Sequence, residues 1–278
     1  MSEPWIAPTR PELVWFSGAD ALRFLNDLIS QEIGDMVDGE ARRSFLLEPQ
    51  GKLRFLLWVV RDGDRYGLVT EDGRGEELAT TLGRYRIRVD VDIIGEEREV
   101  SIVVVSANPG LVAPLSEVWR PQFAETYDVG WSGVARSLVV GERPDLPVGA
   151  SEEYERLRIV AGEPRWGVDV DEGTIPHESG LVPASVDFTK GCFLGQELVA
   201  RIDSRGGNTP RHLRLLRSEG ELAIGDVVTM DDVEVGSVTS ASGATGLAML
   251  KRSVSVGDSV VVGGVSARVE DLPPKTAG

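Results

Sequence analysis

The chain has 278 residues, enough for a large core or for two to three modules, and its 45 acidic against 29 basic residues give a net charge of −16. That balance repels phosphate backbones and argues against direct nucleic-acid binding. One cysteine excludes an intrachain disulfide and any all-cysteine zinc or iron–sulfur site built from this chain alone, and two histidines make a conventional metal site a poor expectation.

In chain order, Leu13–Phe16 reads as a strand, followed by a helix on which Leu22, Leu25, Leu28 and Ile29 recur at helical spacing. Ala41–Leu47 and Lys52–Val60 read as strands joined by the turn Glu48-Pro49-Gln50-Gly51. Arg61-Asp62-Gly63-Asp64 is a second turn, leading into a strand over Tyr66–Thr70. Gly75–Tyr85 is predicted helical, with strands over Ile87–Ile94 and Val100–Val105. Residues 106–130, richer in Pro and Gly, read as a link, and Val134–Val140 as a strand. Ser151–Ala161 is a predicted helix with Ser151 as N-cap and Gly162 as stop. Residues 163–191 are mostly loop, long enough to suggest an ordered, functional segment. After Gly206-Gly207, short alternating runs (Leu213–Leu216, Val227–Met230, Val233–Val238, Gly246–Leu250, Ser259–Val262, Ser266–Val269) point to a small β-barrel or sandwich, with Pro273–Gly278 as a frayed tail. The fold class is α+β with an antiparallel sheet.

No basic region followed by an apolar run opens the chain, and no apolar stretch approaches the roughly 20 residues of a membrane span, so a soluble, cytoplasmic protein is expected. No P-loop, dinucleotide fingerprint or nucleophile elbow is present. Chemistry concentrates in Lys190-Gly191-Cys192-Phe193-Leu194-Gly195-Gln196-Glu197, which continues into the apolar-spaced Leu198-Val199-Ala200-Arg201-Ile202. Read as the start of a helix, this segment sets the Cys192 thiol among free amide N–H groups and beside Lys190, both of which favour a thiolate. The alternative is a small buried hydrophobe. Arg201, Arg205, Arg211, Arg214 and Arg217 form a local basic strip, suited to carboxylates or phosphates or else simply solvated.

The same motif resembles the signature of the YgfZ-type proteins, folate-binding relatives of the glycine-cleavage T-protein (aminomethyltransferase) implicated in iron–sulfur cluster maintenance. The likeness runs through Ser17–Asn26, Leu47–Leu53, Leu157–Pro164, Ile175–Glu178 and the β-rich carboxyl end, nearly the whole chain. It implies a three-module fold around a central channel, with a carboxyl-terminal small β-barrel. The modules would be residues 1–47 plus 133–210 as a discontinuous folate-binding domain, 48–132 as a second α+β domain, and 211–278 as the barrel.

The resemblance also implies site residues. Aminomethyltransferases carry an aspartate after the glycine of the strand–turn–strand, facing the folate nitrogen; here the stretch is Gly51-Lys52-Leu53-Arg54-Phe55, with no carboxylate to handle that proton. Glu178 and Glu172 are the candidates to grip a pterin's amino-pyrimidinone edge, unless they are solvated loop residues. Trp166 stands where aminomethyltransferases have a tyrosine and would stack on the pterin, or is a core aromatic. Arg201 would meet a folate carboxylate or pair with Glu197 at i, i+4; Gln196 and Glu197 complete the candidate binding set. Cys192 and Lys190 are the candidate reactive pair, for transient iron ligation, attack on an electrophile or sensing of oxidation. The implied cofactor is tetrahydrofolate, with or without a polyglutamate tail, and the implied partners are iron–sulfur carriers or client enzymes, with tRNA modification reached indirectly through them. Two other readings stand beside this one: a folate-dependent one-carbon transferase or demethylase, and a protein-interaction module with a vestigial folate pocket.

Overall fold

Period-two alternation, rather than helical spacing, organises most of this chain. The computed structural model describes residues 3–107 and 125–273. In order these form β1 (Trp5–Ile6), β2 (Glu12–Ser17), α1 (Ala21–Asn26), β3 (Ala41–Leu47), β4 (Leu53–Asp62), β5 (Arg65–Thr70), α2 (Gly75–Gly83), β6 (Asp92–Gly95) and β7 (Glu99–Ala107). They continue as β8 (Glu125–Asp128), β9 (Val134–Gly141), α3 (Ser151–Val160), a 3-10 turn (Pro176–Ser179), α4 (Val182–Ser185) and α5 (Gln196–Asp203). Six strands follow: β10 (Arg211–Ser218), β11 (Val227–Met230), β12 (Val233–Ser242), β13 (Thr245–Lys251), β14 (Ser259–Val262) and β15 (Val265–Glu270).

Three antiparallel assemblies result: a five-stranded sheet ordered β3-β4-β5-β2-β6, a four-stranded sheet ordered β1-β7-β9-β8, and a closed barrel ordered β10-β13-β12-β11-β14-β15. The alternation in β4 decides the layering. Phe55, Leu57 and Val59 point to one face, where they pack with Phe24 and Leu25 of α1 and Leu78 and Leu82 of α2. Trp58 and Val60 point to the other, against Tyr127, Leu138 and Val140 of the four-stranded sheet. Each fully buried large apolar side chain contributes about 1.5–3 kcal/mol, so these two faces carry most of the driving force in this half of the molecule. Closure of the barrel removes its exposed sheet edges. It docks on α3 through Ile159 against Leu213, Leu215 and Leu247, and through Arg158, whose guanidinium binds Asp169 at 2.7 Å and the Ser240 hydroxyl of β12 at 2.7 Å.

Several expectations shift, each for a local reason. The predicted helix through Leu22–Ile29 stops at Asn26, because Ser30 N–H donates to the Phe45 carbonyl and Ile29 bridges to Leu46, which pulls the chain onto β3. Of the four spaced residues, Leu25, Leu28 and Ile29 are buried in the core, and Leu22 alone is left 38% exposed. The strand expected over Ile87–Ile94 shrinks to Asp92–Gly95, since Arg88 takes a left-handed φ of 57° that no strand can continue through. Ser151 is the first helical residue of α3 and not its N-cap, which is Ala150; Gly162, at φ 65°, does end that helix. The link expected over 106–130 contains β8, paired with β9; its residues 108–124, and 274–278 of the expected tail, lie outside the described residues. Among the described residues no helix is long and apolar enough to cross a membrane.

Candidate ligand cavity and thiol loop

A cavity of about 360 Å³ opens where the two sheets meet α3. Its apolar walls include Leu56 and Trp58 of β4, Val69 of β5 and Ile102 of β7; its polar groups include Thr70, Glu71, Arg43, Arg136, Tyr154 and Glu163, with Arg158 and Arg165 also on the lining. Arg43 stands opposite Trp58 in the β3–β4 register and lies between two rings, 4.8 Å from Trp58 and 4.3 Å from Trp131. Arg43 and Arg136 share the Glu163 carboxylate: Arg43 Nη2 bonds Oε1, and Arg136 Nη1 lies 2.8 Å from Oε2. Arg136 also donates to the Tyr154 hydroxyl at 3.2 Å. Burial pushes the Glu163 carboxyl up, but Arg136 and then Arg43 outweigh it and hold it below the usual range. Glu71 differs. Burial dominates there and lifts its carboxyl above the usual range, against the Trp166 N–H that donates to it at 3.0 Å and the cations Arg74, Arg43 and Arg165. The cavity therefore joins two guanidiniums bound to one carboxylate with a second carboxyl biased toward its neutral form.

None of these cavity residues was singled out from the sequence as a site residue. Arg43 and Arg136 carry the available signal: each is a lone arginine on the inward parity of a strand whose neighbours bury apolar side chains. Topology brings them to one point from strands nearly a hundred residues apart.

The residues that were singled out divide into separate places. Glu178 is 2% exposed and fully engaged: Arg211 donates to both its oxygens at 3.2 and 3.0 Å, and the Ile175 N–H donates at 3.1 Å, so it fastens the 3-10 turn to β10. Glu172 sits on an exposed turn with Arg54 on its carboxylate. Trp166 is half-buried under the Arg74 guanidinium at 4.5 Å, and its backbone N–H, not its indole, donates to Glu71 of the cavity. Arg201 and Glu197 are exposed on α5, and no ion pair joins them. Gln196 accepts the Phe193 N–H at 3.2 Å. After Gly51, Arg54 is held by Glu48, Glu77 and Glu172, while Phe55 is buried in the core.

Cys192 is exposed, outside the residues that line the cavity. It also precedes the helix rather than opening it: α5 begins at Gln196 with Gly195 as N-cap. The cause is packing. Gly195 takes φ 76°, and a Cβ there would meet the Glu48 carbonyl oxygen at 2.5 Å and the Leu47 side chain at 3.0 Å. Gly51 meets the motif reciprocally, with Gly195 O at 2.8 Å and Leu198 Cβ at 2.6 Å from its ideal Cβ. The turn after β3 and the cysteine motif thus interlock through two glycines, and Phe193 is buried beside them. Lys190 points away from the thiol setting expected of it. Its Nζ donates to the Asn26, Ile29 and Gln31 carbonyls and the Asn26 side chain. Burial pushes this ammonium down to about 8, opposed by Glu32, Asp187 and Asp27. Among the described residues no group of three or more His, Cys, Asp and Glu side chains is placed to hold a metal ion.

Comparison with known proteins agrees with this architecture. Residues 211–274 match the CAF17 C-terminal beta-barrel domain. The fold is similar to the crystal structure of glycine cleavage system aminomethyltransferase T from Bartonella henselae, with a TM-score of 0.80 at 19% identity over 98% of this chain and 86% of that one. The tRNA-modifying protein YgfZ of Shigella boydii is 23% identical over 216 residues, covering 70% of this chain and 66% of that protein, just under two thirds of its length. The chain thus has the fold of that aminomethyltransferase and is similar in sequence to the YgfZ proteins. An uncharacterized protein of Haemophilus influenzae is similar over a longer span, 26% identical across 89% of this chain and 87% of its own length. The YgfZ-type resemblance and the closed carboxyl-terminal barrel expected from the sequence are both found.

Proposed function

We propose that this chain binds a reduced folate, tetrahydrofolate with or without a polyglutamate tail, in the cavity beside α3. Through the loop around Cys192 it would support iron–sulfur enzymes, tRNA-modifying ones among them, without transferring an aminomethyl group itself. The cavity carries this reading. Its volume falls within the roughly 300–1,000 Å³ of small-molecule sites, and it has the mixed apolar and polar lining such sites use. A pteridine head presents donors and acceptors along one edge, and a carboxyl biased toward its neutral form can answer both. Glu71 fits that role better than Glu178 or Glu172, whose oxygens Arg211 and Arg54 already occupy. Trp58, Leu56 and Ile102 would cover the apolar surface of such a head. Bound folate would supply a one-carbon carrier; this chain's residues would orient it and keep it from water.

Two observations support the absence of aminomethyl transfer. The position after Gly51-Lys52-Leu53 is a guanidinium bound to three carboxylates, and the next is a buried phenyl ring, so neither can accept a proton from a folate nitrogen. Cys192 supports the cluster-related part by its exposure: it can reach a partner, although one cysteine supplies one of the four ligands a cluster usually takes. Cluster and remaining ligands would come from a carrier or client.

An anaerobic calorimetric titration with tetrahydrofolate and its polyglutamate tests the reading. Saturable binding is expected, weakened about tenfold or more by Glu71→Leu and retained by Glu178→Ala, whose loss falls on stability. No binding to the wild-type chain would move the reading to a protein-interaction module. Turnover of a methylated amine with tetrahydrofolate would move it to a one-carbon transferase or demethylase.

A further inference from the structure

Among the described residues, the Lys190 side chain is the most completely coordinated cation that has no carboxylate on it. Four oxygens surround its Nζ: Asn26 O at 2.8 Å, Gln31 O at 2.8 Å, Ile29 O at 2.9 Å and Asn26 Oδ1 at 3.1 Å. Their origin is local. Helix α1 stops at Asn26, which leaves carbonyls at its carboxyl end without intrahelical partners, and the chain then coils through Ile29–Gln31 so that two more carbonyls turn inward. Asn26 Oδ1 is itself held in place by the Ile33 N–H at 3.2 Å. Such a seat of neutral oxygens is what a monovalent cation takes.

Two backbone bonds flank the seat and join the same segments. Asp187 N–H donates to Ser30 O at 3.0 Å, and Leu194 N–H donates to Asp27 O at 3.2 Å. Lys190 lies between them. On its own side, Asp187 Oδ1 accepts the Thr189 N–H at 2.7 Å and the Lys190 N–H at 3.2 Å, which turns the lysine toward the seat. The Phe193 ring lies 5.6 Å from Nζ. The charged groups facing this ammonium are Glu32, Asp187 and Asp27.

We propose that Lys190 is a built-in monovalent cation that latches the Cys192 loop onto the carbonyls at the end of α1, making it a positioning residue whose vacated seat takes a small ammonium ion. This latch stands independently of the folate reading. It fixes where the exposed thiol is presented, through contacts that involve neither the thiol nor the cavity.

The test is amide hydrogen exchange on the full-length chain, read by NMR at Asp187 and Leu194. In Lys190→Ala both amides are expected to exchange about tenfold faster, while the barrel amides Val238 and Val269 keep their wild-type rates. Methylammonium chloride at about 0.2 M should return Asp187 and Leu194 toward wild type by mass action, and tetramethylammonium chloride, which has no N–H to donate, should not. Lys190→Met keeps the stem and fills the seat without charge, so it should exchange as fast as Lys190→Ala and ignore methylammonium. A Lys190→Met chain with wild-type exchange would show that the stem's packing, not the cation, holds the loop. Equal responses to the two ammonium salts would also overturn the seat. If Lys190→Ala does not fold, the Lys190→Met comparison decides alone.

Discussion

At the scale of single residues, Gly195 concentrates backbone strain and Glu71 an altered protonation. Gly195 is required by both its left-handed φ and its contact with the Glu48 carbonyl, so Gly195→Ala combines backbone strain with a steric overlap. A loss of about 2–4 kcal/mol is expected from urea unfolding, with Gly191→Ala, where nothing lies within 4 Å of a built Cβ, as the near-neutral control. Equal losses for the two would disprove the interlock between the turn after β3 and the cysteine motif. Glu71 gives a pH signature. Its folded pKa is raised above 4.5 by burial, so the folded chain holds the proton more tightly than the unfolded chain does. The stability it contributes is complete below that value and declines as pH rises through the raised pKa. Glu71→Gln, which cannot ionise, should flatten the decline, so that urea midpoints at about pH 4.5 and about pH 7.5 differ less than in wild type. An unchanged difference would mean Glu71 is ionised in the folded chain.

At the scale of elements, the barrel is joined to α3 through a buried charge. Asp169 is fully buried, accepts Arg158 at 2.7 Å and Ser240 at 2.7 Å, and bonds Thr239 as well. Removing it leaves Arg158 buried between α3 and β12 with Glu155, on its own helix, as its remaining carboxylate, and takes the acceptor from the Ser240 hydroxyl. Asp169→Ala should therefore cost about 3–5 kcal/mol, far above a surface ion pair. The effect should concentrate at the junction: protease cleavage near Asn208–Arg211 would accelerate before cleavage within the barrel. Indiscriminate cleavage throughout would contradict a junction role. The same scale explains why helices were harder to delimit than strands. β4 announces itself by a β-rich apolar run from Leu53 to Val60, whereas α1 ends where Ser30 and Ile29 find partners on β3, a decision made by a strand that begins later in the chain.

At the scale of the whole molecule, the cavity beside α3 and the thiol occupy different places, and the proposed function predicts that they separate experimentally. Cys192→Ala should leave tetrahydrofolate affinity within about twofold, since Cys192 does not line the cavity. The same variant should fail to restore iron–sulfur enzyme activity in a strain lacking the protein. Full restoration would remove the thiol from the function, and a large loss of folate affinity would show that cavity and loop are coupled.

By itself the sequence determined most of the strand pattern and the carboxyl-terminal barrel, because alternation and turn residues are local properties. It also determined that no chain-borne four-cysteine cluster exists, because that needs only counting. Only the tertiary structure decided what each charged side chain faces. Glu178 looked like a ligand carboxylate until Arg211, thirty-three residues away, was seen to occupy it. Lys190 looked like the activator of Cys192 until the carbonyls of Asn26, Ile29 and Gln31 were found around its ammonium. Arg43, Glu71, Arg136 and Glu163 drew no notice as ligand residues until the sheets and α3 brought them around one cavity. A charged side chain's chemistry depends on what it faces, and in an antiparallel fold of this kind that partner comes from a distant strand.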